Sequence, residues 1–279
     1  MIYLRLAGGL GNQLYQIAAA GLMCASKGKK VVFFEGGLNS YSTPRFPDGV
    51  KFVGAKPWIA DAVLGEYKAV RIMSERFRCG RWLPRFSISD RNYWSRLLSD
   101  IPENVFMDGY FQIGWNRNTL ASAIDLISDR IVENTVEKDG DSKKVVIHIR
   151  GGDFLRHPEF QVVGFEFYEK AVVMAIKRGY TFFSILSDDE EYAHQMCGRL
   201  KRRFSDEYFN VFPRGNSVVD DFEKLRMARA RIIGNSTFAW WASALGVQGS
   251  VTWSCTKITK HISRDYVLEN EIPVEIASF

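Results

Sequence analysis

Two segments in the second half of the chain carry side chains suited to binding an anion. The first runs from His148 to Asp153 and reads His-Ile-Arg-Gly-Gly-Asp, directly after a run typical of a β-strand. Because side chains two apart on a strand share a face, His148 and Arg150 are predicted to point the same way where the strand ends. An arginine can pair bidentately with a diphosphate, or Arg150 could simply bridge to Asp153. The adjacent glycines favour an anion site, since they let the backbone turn tightly or approach a ligand closely.

The second segment, Asn235 to Trp241, follows a predicted strand at 231–234 and places two hydroxyl side chains at the start of a predicted helix. Ser236 and Thr237, with Phe238 next to them, could hold phosphate oxygens through their hydroxyls and through the N–H groups of the first helical turn. The alternative is a cap that serves only its own helix, and the two roles are compatible. In α/β proteins ligands collect at the carboxyl ends of strands, where both segments are placed.

Two pairs of aspartates allow more than one interpretation. Asp220 and Asp221 precede a predicted helix, where a carboxylate could read the N1–H and amine of guanine or could cap the helix. Asp188 and Asp189 are more typical of a cap than of a metal site, because no histidine or cysteine accompanies them at ligand spacing. The cysteines are scattered along the chain: Cys24, Cys79, Cys197 and Cys255. These patterns predict a reduced protein that needs neither a metal ion nor another cofactor.

A glycine-rich turn near the start of the chain separates a predicted strand, Ile2 to Leu6, from a predicted helix. Contact with a polyhydroxylated substrate, on the acceptor side of a cleft, is the preferred role of four residues there: Gly9, Gly11, Asn12 and Gln13. Binding of a nicotinamide dinucleotide by an oxidoreductase is a second interpretation, but Leu14 stands where that fingerprint needs its third glycine. A tight turn without a ligand is the third.

Alternating strands and helices predict an α/β fold with two Rossmann-like, doubly wound domains. The polar run from Glu137 to Lys144 contains no large apolar residue and marks the domain boundary. We therefore expect an N-terminal, acceptor-side domain over residues 1–140 and a C-terminal domain over 141–279, with a ligand-binding cleft between them. A chain of 279 residues is long enough for both.

Charge and hydropathy narrow the range of partners. A formal net charge of +5 is too small to indicate nucleic acid by itself, and no nucleic-acid motif accompanies it. Arginines alternate with aromatic residues from Arg71 to Arg96, a pattern typical of a solvated helix face or of contact with an anionic membrane. No apolar run approaches the roughly 20 residues needed to span a bilayer, and no signal peptide opens the chain. We expect a cytoplasmic protein, peripheral at the inner membrane face if its acceptor is lipid-linked.

Three motifs, in this order, resemble those of bacterial α-1,2-fucosyltransferases, and together they span most of the chain. They run from Gly8 to Gln16 (GGLGNQLYQ), from His148 to Asp153 and from Asn235 to Trp241. The resemblance implies a GT-B fold and an inverting, metal-independent transfer of L-fucose from GDP-β-L-fucose to a hydroxyl of an acceptor sugar, O2 of a galactose. It also implies a role in making a surface polysaccharide or a related glycan.

The same resemblance assigns roles to particular residues in the second half of the chain. It implies that Arg150 contacts the β-phosphate, that His148 lies beside the nucleotide and that Asp221 reads guanine. Ser236 and Thr237 would complete the diphosphate site. Another GDP-deoxysugar, such as GDP-colitose, would make the same contacts, because those contacts involve the GDP part of the donor and not its sugar. A glycan-binding protein without activity is a further alternative.

One position departs from the family pattern, and one role stays open. Gly151 stands where the family usually has a second arginine, so one cationic contact is missing or is supplied elsewhere, for example by Arg156. The general base is not identified by the sequence. Asp153 is the first candidate for the base, and Glu159 and Glu166 also carry carboxylates in this region.

Overall fold

The computed structural model describes residues 2–6, 8–35, 87–128, 143–160, 163–213 and 217–276. The chain divides into two compact units, Met1–Glu133 and Asn134–Phe279. Each unit is built on a parallel β-sheet, which confirms the predicted α/β fold class. The polar run at 137–144, where the sequence places the domain boundary, lies almost entirely outside the described residues, so that boundary stays a prediction.

The first unit alternates strands and helices. Its elements are β1 (Ile2–Leu6), α1 (Leu10–Lys27), β2 (Val31–Glu35), β3 (Ser87–Ile88), α2 (Tyr93–Leu98), β4 (Val105–Met107) and α3 (Arg117–Ser128). Within the described residues its strands lie in the order β2-β1-β4-β3, and every neighbouring pair is parallel. The turn after β1 and the loop after β4 therefore leave adjacent central strands at the same edge of the sheet.

Small residues allow α1 to pack closely. Ala18, Ala19 and Ala20 are fully buried, and a Cβ added to Gly21 would lie 2.7 Å from Cδ2 of Leu126 on α3. The helix ends at Gly28, whose φ of 61° is left-handed and whose N–H donates to the carbonyl of Cys24. These contacts fix the helix whose first turn carries the N-terminal glycine motif.

The second unit has six parallel strands. Its elements are β5 (Lys144–Ile149), α4 (Phe165–Ile176), β6 (Phe182–Ser187), α5 (Glu190–Arg203), β7 (Tyr208–Val211), α6 (Val218–Met227), β8 (Ala230–Ile233), α7 (Thr237–Ala244), β9 (Val251–Ser254) and β10 (Glu271–Pro273). The strand order β10-β9-β8-β5-β6-β7 is that of a doubly wound Rossmann sheet, with the chain reversing its direction of growth between β5 and β8. The predicted doubly wound architecture is therefore confirmed here. The sequence analysis missed β9 and β10.

A buried arginine fixes the end of α6 against this sheet. Arg231 on β8 is fully buried and donates hydrogen bonds to three carbonyls at the end of α6 and to two hydroxyls beside β9. Burial, with a smaller effect of Arg226, lowers the pKa of Arg231 to about 10, so the side chain still carries its charge at neutral pH. The cation satisfies carbonyls that a helix end leaves without partners, and it anchors the helix that carries Asp221.

Part of the arginine and aromatic stretch between Arg71 and Arg96 is described, and there the aromatic rings face inward. The ring of Tyr93 is buried and its hydroxyl donates to the carbonyl of Ala19 at 2.8 Å. Trp94 packs edge-on against Trp115. Residues 71–86 lie outside the described residues. Among the helices that the structure describes, none is long and apolar enough to cross a membrane.

Candidate functional site

Sheet topology brings the two predicted anion-binding segments together. Strands β5 and β8 are neighbours, and His148 pairs with Ile233. The chain therefore leaves both strands at the same level, with Arg150 just beyond one and Asn235 to Thr237 just beyond the other. This is the point where the strand order reverses, and in open α/β sheets ligands bind in the crevice at such a point.

Arg150 is held by two carboxylates at the edge of the sheet. Its Nη2 lies 2.6 Å from Oδ1 of Asp153, and its Nη1 lies 2.6 Å from Oδ2 of Asp188. Its guanidinium carbon lies 5.3 Å from the ring centroid of Phe154. The bridge to Asp153 that the sequence left open is present, and the contact with Asp188 was not foreseen. A guanidinium has five N–H donors, so this arrangement orients the group and leaves donors for a phosphate.

The glycine pair after Arg150 packs tightly against the neighbouring loop. The N–H of Gly151 donates to Oδ1 of Asp188 at 2.9 Å, and that of Gly152 donates to Oδ2 of Asp189 at 3.2 Å. A Cβ added to Gly151 would lie only 2.4 Å from the Cβ of Asp189. An arginine at position 151, as in the family pattern, has no room in this backbone arrangement. Asp189 also caps α5 through the N–H of Tyr192, as the sequence predicted.

His148 is a buried, neutral histidine beside the site. Its side chain is 5% exposed, and its ring centroid lies 5.6 Å from that of Phe238 on α7. Burial, with a smaller effect of the nearby Arg150, lowers its pKa from 6.5 to about 3. Its Nδ1 has no hydrogen-bond partner among the described residues. A buried polar atom without a partner is suited to contact a ligand, whereas so low a pKa does not suit a general base at neutral pH.

The hydroxyl of Ser236 does not cap its own helix. Ser236 occupies the N-cap position of α7, its carbonyl accepts from the N–H of Trp240, and its side chain makes no capping hydrogen bond. Thr237 is the first residue of the helix and is partly buried. The preceding Asn235 fixes the loop, since its amide donates to the carbonyls of Phe160 and Ile258 at 2.9 and 3.1 Å. The helix start is thus rigid while the hydroxyl of Ser236 is left out of the cap.

The Asp220 and Asp221 pair lies inside the first turn of α6, so the prediction that it precedes a helix is wrong. The helix begins at Val218 because Ser217 and Asp220 form a reciprocal capping box. The hydrogen bonds from Ser217 also lower the pKa of Asp220. Asp221 takes no part in the box, and its Oδ1 lies 3.7 Å from Nζ of Lys224. The capping role therefore belongs to Asp220 and not to Asp221.

The N-terminal motif forms the first turn of α1, which starts directly after the N-cap residue Gly9. The side-chain amide of Gln13 donates to the carbonyl of Gly8 at 2.7 Å, while its buried Oε1 has no hydrogen-bond partner among the described residues. Oδ1 of Asn12 accepts from the amide of Gln112 at 2.9 Å. Gly11 is buried in the same turn. Three of the four predicted acceptor-side residues thus lie in one turn of helix, directly after its N-cap residue Gly9.

A loop whose contact with this turn was not predicted from the sequence follows β4. Residues 109–115, here called the β4 loop, are tied to α1 by the amide of Gln16, which donates to the carbonyl of Gly109 at 2.9 Å. Asp90, just after β3, accepts hydrogen bonds from the N–H groups of Tyr110 and Phe111. Phe111 has a φ of 52° and is the single non-glycine residue with positive φ in the part of the chain that the structure describes. No local pattern in the sequence indicated that Asp90 would hold this loop.

The three candidate general bases differ in their surroundings. Asp153 holds Arg150, whereas Glu159 lies 3.6 Å from Nδ1 of His157 and Glu166 pairs with Lys170 at 2.8 Å. Arg156, considered as a replacement for the missing arginine, ends a short 3-10 helix and is exposed. Within the described ranges, no group of three or more His, Cys, Asp or Glu side chains is placed to hold a metal ion.

Comparison with known proteins supports the family that the three sequence motifs indicate. The model of glycosyl transferase family 11 matches residues 59–264, and the chain belongs to this family of fucosyltransferases. The family expected from the three motifs is thereby confirmed. No match was found among curated proteins.

Similar solved structures include other glycosyltransferases. The NodZ α-1,6-fucosyltransferase soaked with GDP-fucose is 12% identical, with 88% of this chain and 92% of that chain covered and a TM-score of 0.47. The E. coli heptosyltransferase WaaC with ADP-2-deoxy-2-fluoro heptose is 11% identical, with 99% and 93% covered and a TM-score of 0.47. POFUT1 in complex with GDP-fucose is 11% identical, with 91% and 96% covered and a TM-score of 0.47.

Proposed function

We propose that this protein transfers L-fucose from GDP-β-L-fucose to a hydroxyl of an acceptor glycan, O2 of a galactose, with inversion and without a metal ion. One observation carries the proposal. In a chain of glycosyl transferase family 11, the cationic side chain of Arg150 and the hydroxyl-bearing start of α7 lie just beyond adjacent strands, where the sheet reverses its order. A cation and a helix N-terminus on two sides of one crevice are suited to a diphosphate.

The reaction needs stabilisation of a leaving group. The bond between the anomeric carbon and the diphosphate oxygen breaks, and its electron pair leaves with GDP. The acceptor oxygen bonds to that carbon from the opposite face and gives up its proton. Negative charge therefore grows on the diphosphate, and fixed donors aimed at that charge lower the barrier. Arg150 and the first turn of α7 supply these donors in our proposal.

Residues of β5, α6 and α7 bind the rest of the nucleotide in our proposal. Asp221, in the first turn of α6 and outside its capping box, reads the N1–H and amine of guanine. His148 contacts the nucleotide as a neutral group, because its pKa is too low for it to carry charge. Phe238 packs between the rings of His148 and Phe222 of α6, which ties α7 and α6 to the same site.

Asp153 and Asp188 position the arginine. Asp153 accepts a hydrogen bond from Nη2 and Asp188 forms an ion pair with Nη1, so together they set the plane of the group before the donor arrives. We therefore assign Asp153 to holding Arg150 rather than to removing the acceptor proton. Glu159 and Glu166 are the other carboxylates to be tested as the base.

The acceptor determines where the protein works. We propose a cytoplasmic enzyme that modifies an oligosaccharide or a lipid-linked glycan of a surface polysaccharide. Peripheral contact with the inner membrane face would then involve the arginines between Arg71 and Arg96. Co-sedimentation with anionic vesicles tests this contact, and binding that ignores lipid charge or neutralisation of these arginines would contradict it.

The decisive experiment measures donor and product together. The protein is incubated with GDP-fucose, GDP-colitose, GDP-mannose and a panel of galactosides, with and without EDTA, and free GDP is measured. We expect GDP release with GDP-fucose that EDTA leaves unchanged, and methylation analysis should show a new substituent at O2 of galactose. Preferred release from GDP-colitose would reassign the donor sugar. Binding of NAD without binding of GDP would refute the proposal.

A further inference from the structure

We propose that the β4 loop, residues 109–115, is the surface of the first unit that binds the acceptor glycan, with the ring of Tyr110 stacked on the face of one sugar. The proposal rests on the function proposed above and extends it to the substrate that receives the fucose.

Hydrogen bonds hold the loop rigidly on three sides. The carboxylate of Asp90 accepts from the backbone of Tyr110 at 3.0 Å and also from that of Phe111. The indole N–H of Trp94 donates to the carbonyl of Ile113 at 2.7 Å, and the amide of Gln112 bridges to α1. A ring on so fixed a backbone loses little conformational freedom when it binds a ligand.

The turn exposes apolar side chains at a conformational cost. Phe111 adopts a left-handed φ of 52°, which an aromatic residue rarely does, and its ring is buried against Tyr93. The neighbouring Tyr110 and Ile113 are 47% and 50% exposed. Strained residues of this kind cluster at ligand sites, where surrounding contacts maintain them. Burial of the Phe111 ring offsets the cost of the turn, and the same turn leaves the ring of Tyr110 exposed to a ligand.

The same arrangement presents the proposed catalytic arginine in the second unit. There Asp188 and Asp189 accept hydrogen bonds from two consecutive N–H groups just after Arg150. In the first unit, Asp90 does so for Tyr110 and the residue after it. In both units the aspartate lies just after one strand, and the loop whose backbone it holds lies just after the neighbouring strand. We call this loop the clamped loop of the unit and the set of hydrogen bonds the clamp. The hydrogen bonds begin one residue after Arg150 in the second unit and at Tyr110 itself in the first, and in both units they fix the backbone that carries the exposed side chain.

The chemistry of the loop suits a neutral sugar. Its sequence, Gly-Tyr-Phe-Gln-Ile-Gly-Trp, contains no charged residue. An exposed aromatic ring can pack against the C–H face of a hexose, and amides such as that of Gln112 can exchange hydrogen bonds with its hydroxyls. Close by in the first turn of α1, the buried Oε1 of Gln13 has no hydrogen-bond partner among the described residues, and a hydroxyl could supply one.

Steady-state kinetics on three variants test the proposal. Tyr110→Ala removes the ring, Tyr110→Phe keeps it, and Leu98→Ala removes a more exposed side chain of the same unit. GDP release is measured against lactose concentration at saturating GDP-fucose, and GDP affinity is measured by calorimetry. We expect Tyr110→Ala to raise the KM for lactose about tenfold, equal to about 1.4 kcal/mol. The KM of Leu98→Ala, and GDP affinity in all three variants, should stay within about twofold of the wild type, and Tyr110→Phe, which keeps the ring, should raise the KM for lactose less than Tyr110→Ala does.

Two results would overturn the assignment while leaving the donor site intact. One is an unchanged lactose KM in a folded Tyr110→Ala protein, and the other is an equal rise in Leu98→Ala. If no GDP-sugar reacts, the proposed function fails, but saturation-transfer NMR with lactose and N-acetyllactosamine still tests the loop. Binding that disappears in Tyr110→Ala would support a glycan site, whereas a wild-type protein that binds neither sugar would refute it.

Discussion

The carboxyl ends of the two sheets are built in the same way but present side chains of different chemistry. Just beyond one strand of each unit, Asp90 in the first and the pair Asp188 and Asp189 in the second accept hydrogen bonds from two consecutive backbone N–H groups just beyond the neighbouring strand. A glycine lies where the two loops meet, Gly109 against Asp90 in the first unit and Gly151 against Asp189 in the second. The shared construction fixes the loop and does not by itself decide what the loop binds.

The side chains on the clamped loops account for the difference between the units. In the second unit the clamped loop carries Arg150, and Asp188 holds both its guanidinium and the backbone after it. In the first unit the clamped loop carries an exposed tyrosine and no charge. One end is suited to a departing anion and the other to a neutral sugar. If this division is right, changes at the second sheet should affect donor chemistry, and changes at the first should affect the acceptor.

The largest effect should follow the loss of the charge that distinguishes the second unit. We expect Arg150→Ala to lower kcat by a factor on the order of 10²–10³, about 3 to 4 kcal/mol, because a preorganised donor to the diphosphate is lost. The partly exposed site should leave the fold intact, as judged by circular dichroism and thermal unfolding. Arg203→Ala is the matched control, since Arg203 also pairs with a carboxylate, Glu169, but on the surface of α5 and α4. Near-normal turnover in a folded Arg150→Ala protein would remove the basis of the comparison.

Substitutions at two N-cap serines should affect different properties, GDP affinity at Ser236 and stability at Ser217. Ser236 makes no capping bond, so Ser236→Ala should leave the free energy of unfolding unchanged. It should raise the Kd for GDP about tenfold or more, because a hydrogen bond to a charged group contributes roughly 1.5–3 kcal/mol. Ser217 does cap α6, so Ser217→Ala should cost about 1 kcal/mol of stability and spare GDP affinity. Urea titration and calorimetry measure both quantities, and the same outcome for both serines would contradict the proposed role of Ser236.

Local patterns in the sequence predicted the parts of the donor site but not the contacts between them. Strand propensity placed Arg150 at the end of β5, and a Ser-Thr pair marked the start of α7. Each of these signals is contained within a few neighbouring residues. The pairing of Arg150 with Asp188 depends on β5 lying beside β6 in a particular register, and no local pattern encodes that. Strands β9 and β10 have only 4 and 3 residues, which is too short for the alternation of apolar and polar residues to be recognised, and they were not predicted.

Some errors had local causes that a closer inspection of side-chain chemistry could have found. The true start of α6 was present in the sequence as Ser217 followed three residues later by an acidic side chain, which here completes a capping box. Asp90 and the turn at Phe111 had no such signal. A positive φ at a phenylalanine is enforced by surrounding contacts, since phenylalanine itself disfavours it.

Alanine substitutions at the two clamped glycines test whether the shared construction is sterically required. Gly151→Ala should destabilise the protein by about 1–3 kcal/mol, because its Cβ would meet the Cβ of Asp189, which the backbone fixes. Gly109→Ala should also destabilise the protein, since its Cβ would lie 2.6 Å from Oδ2 and 3.0 Å from the backbone nitrogen of Asp90, and a shift of that carboxylate would break its hydrogen bonds to Tyr110 and Phe111. Gly198→Ala, in the middle of α5 with no atom closer than 3.7 Å, should instead stabilise the protein by about 0.5–1 kcal/mol. Urea unfolding measures all three, and a stabilised Gly151→Ala would show that the clamp is not tight.

A dependence of stability on acid should also arise in the second unit. All the histidines of the chain lie there, and His148 is the one whose pKa burial lowers to about 3. Below pH 6.5 the unfolded chain binds a proton at this histidine that the folded chain does not, so stability is lost as the pH falls from 6.5 toward 3. One proton corresponds to about 1.4 kcal/mol per pH unit, which gives a loss on the order of 2 kcal/mol by about pH 5.

Replacement of His148 separates its contribution to the pH dependence of stability from that of the carboxylates. His148→Gln removes the titrating group, so its free energy of unfolding should fall less than that of the wild type between about pH 7 and pH 5. His157→Gln, at a largely exposed position, should keep the wild-type dependence. Equal slopes in His148→Gln and the wild type would mean that the imidazole is protonated in the folded protein. A protonated imidazole would add a second positive charge beside Arg150 and would make His148 a donor to the diphosphate rather than a neutral neighbour of the nucleotide.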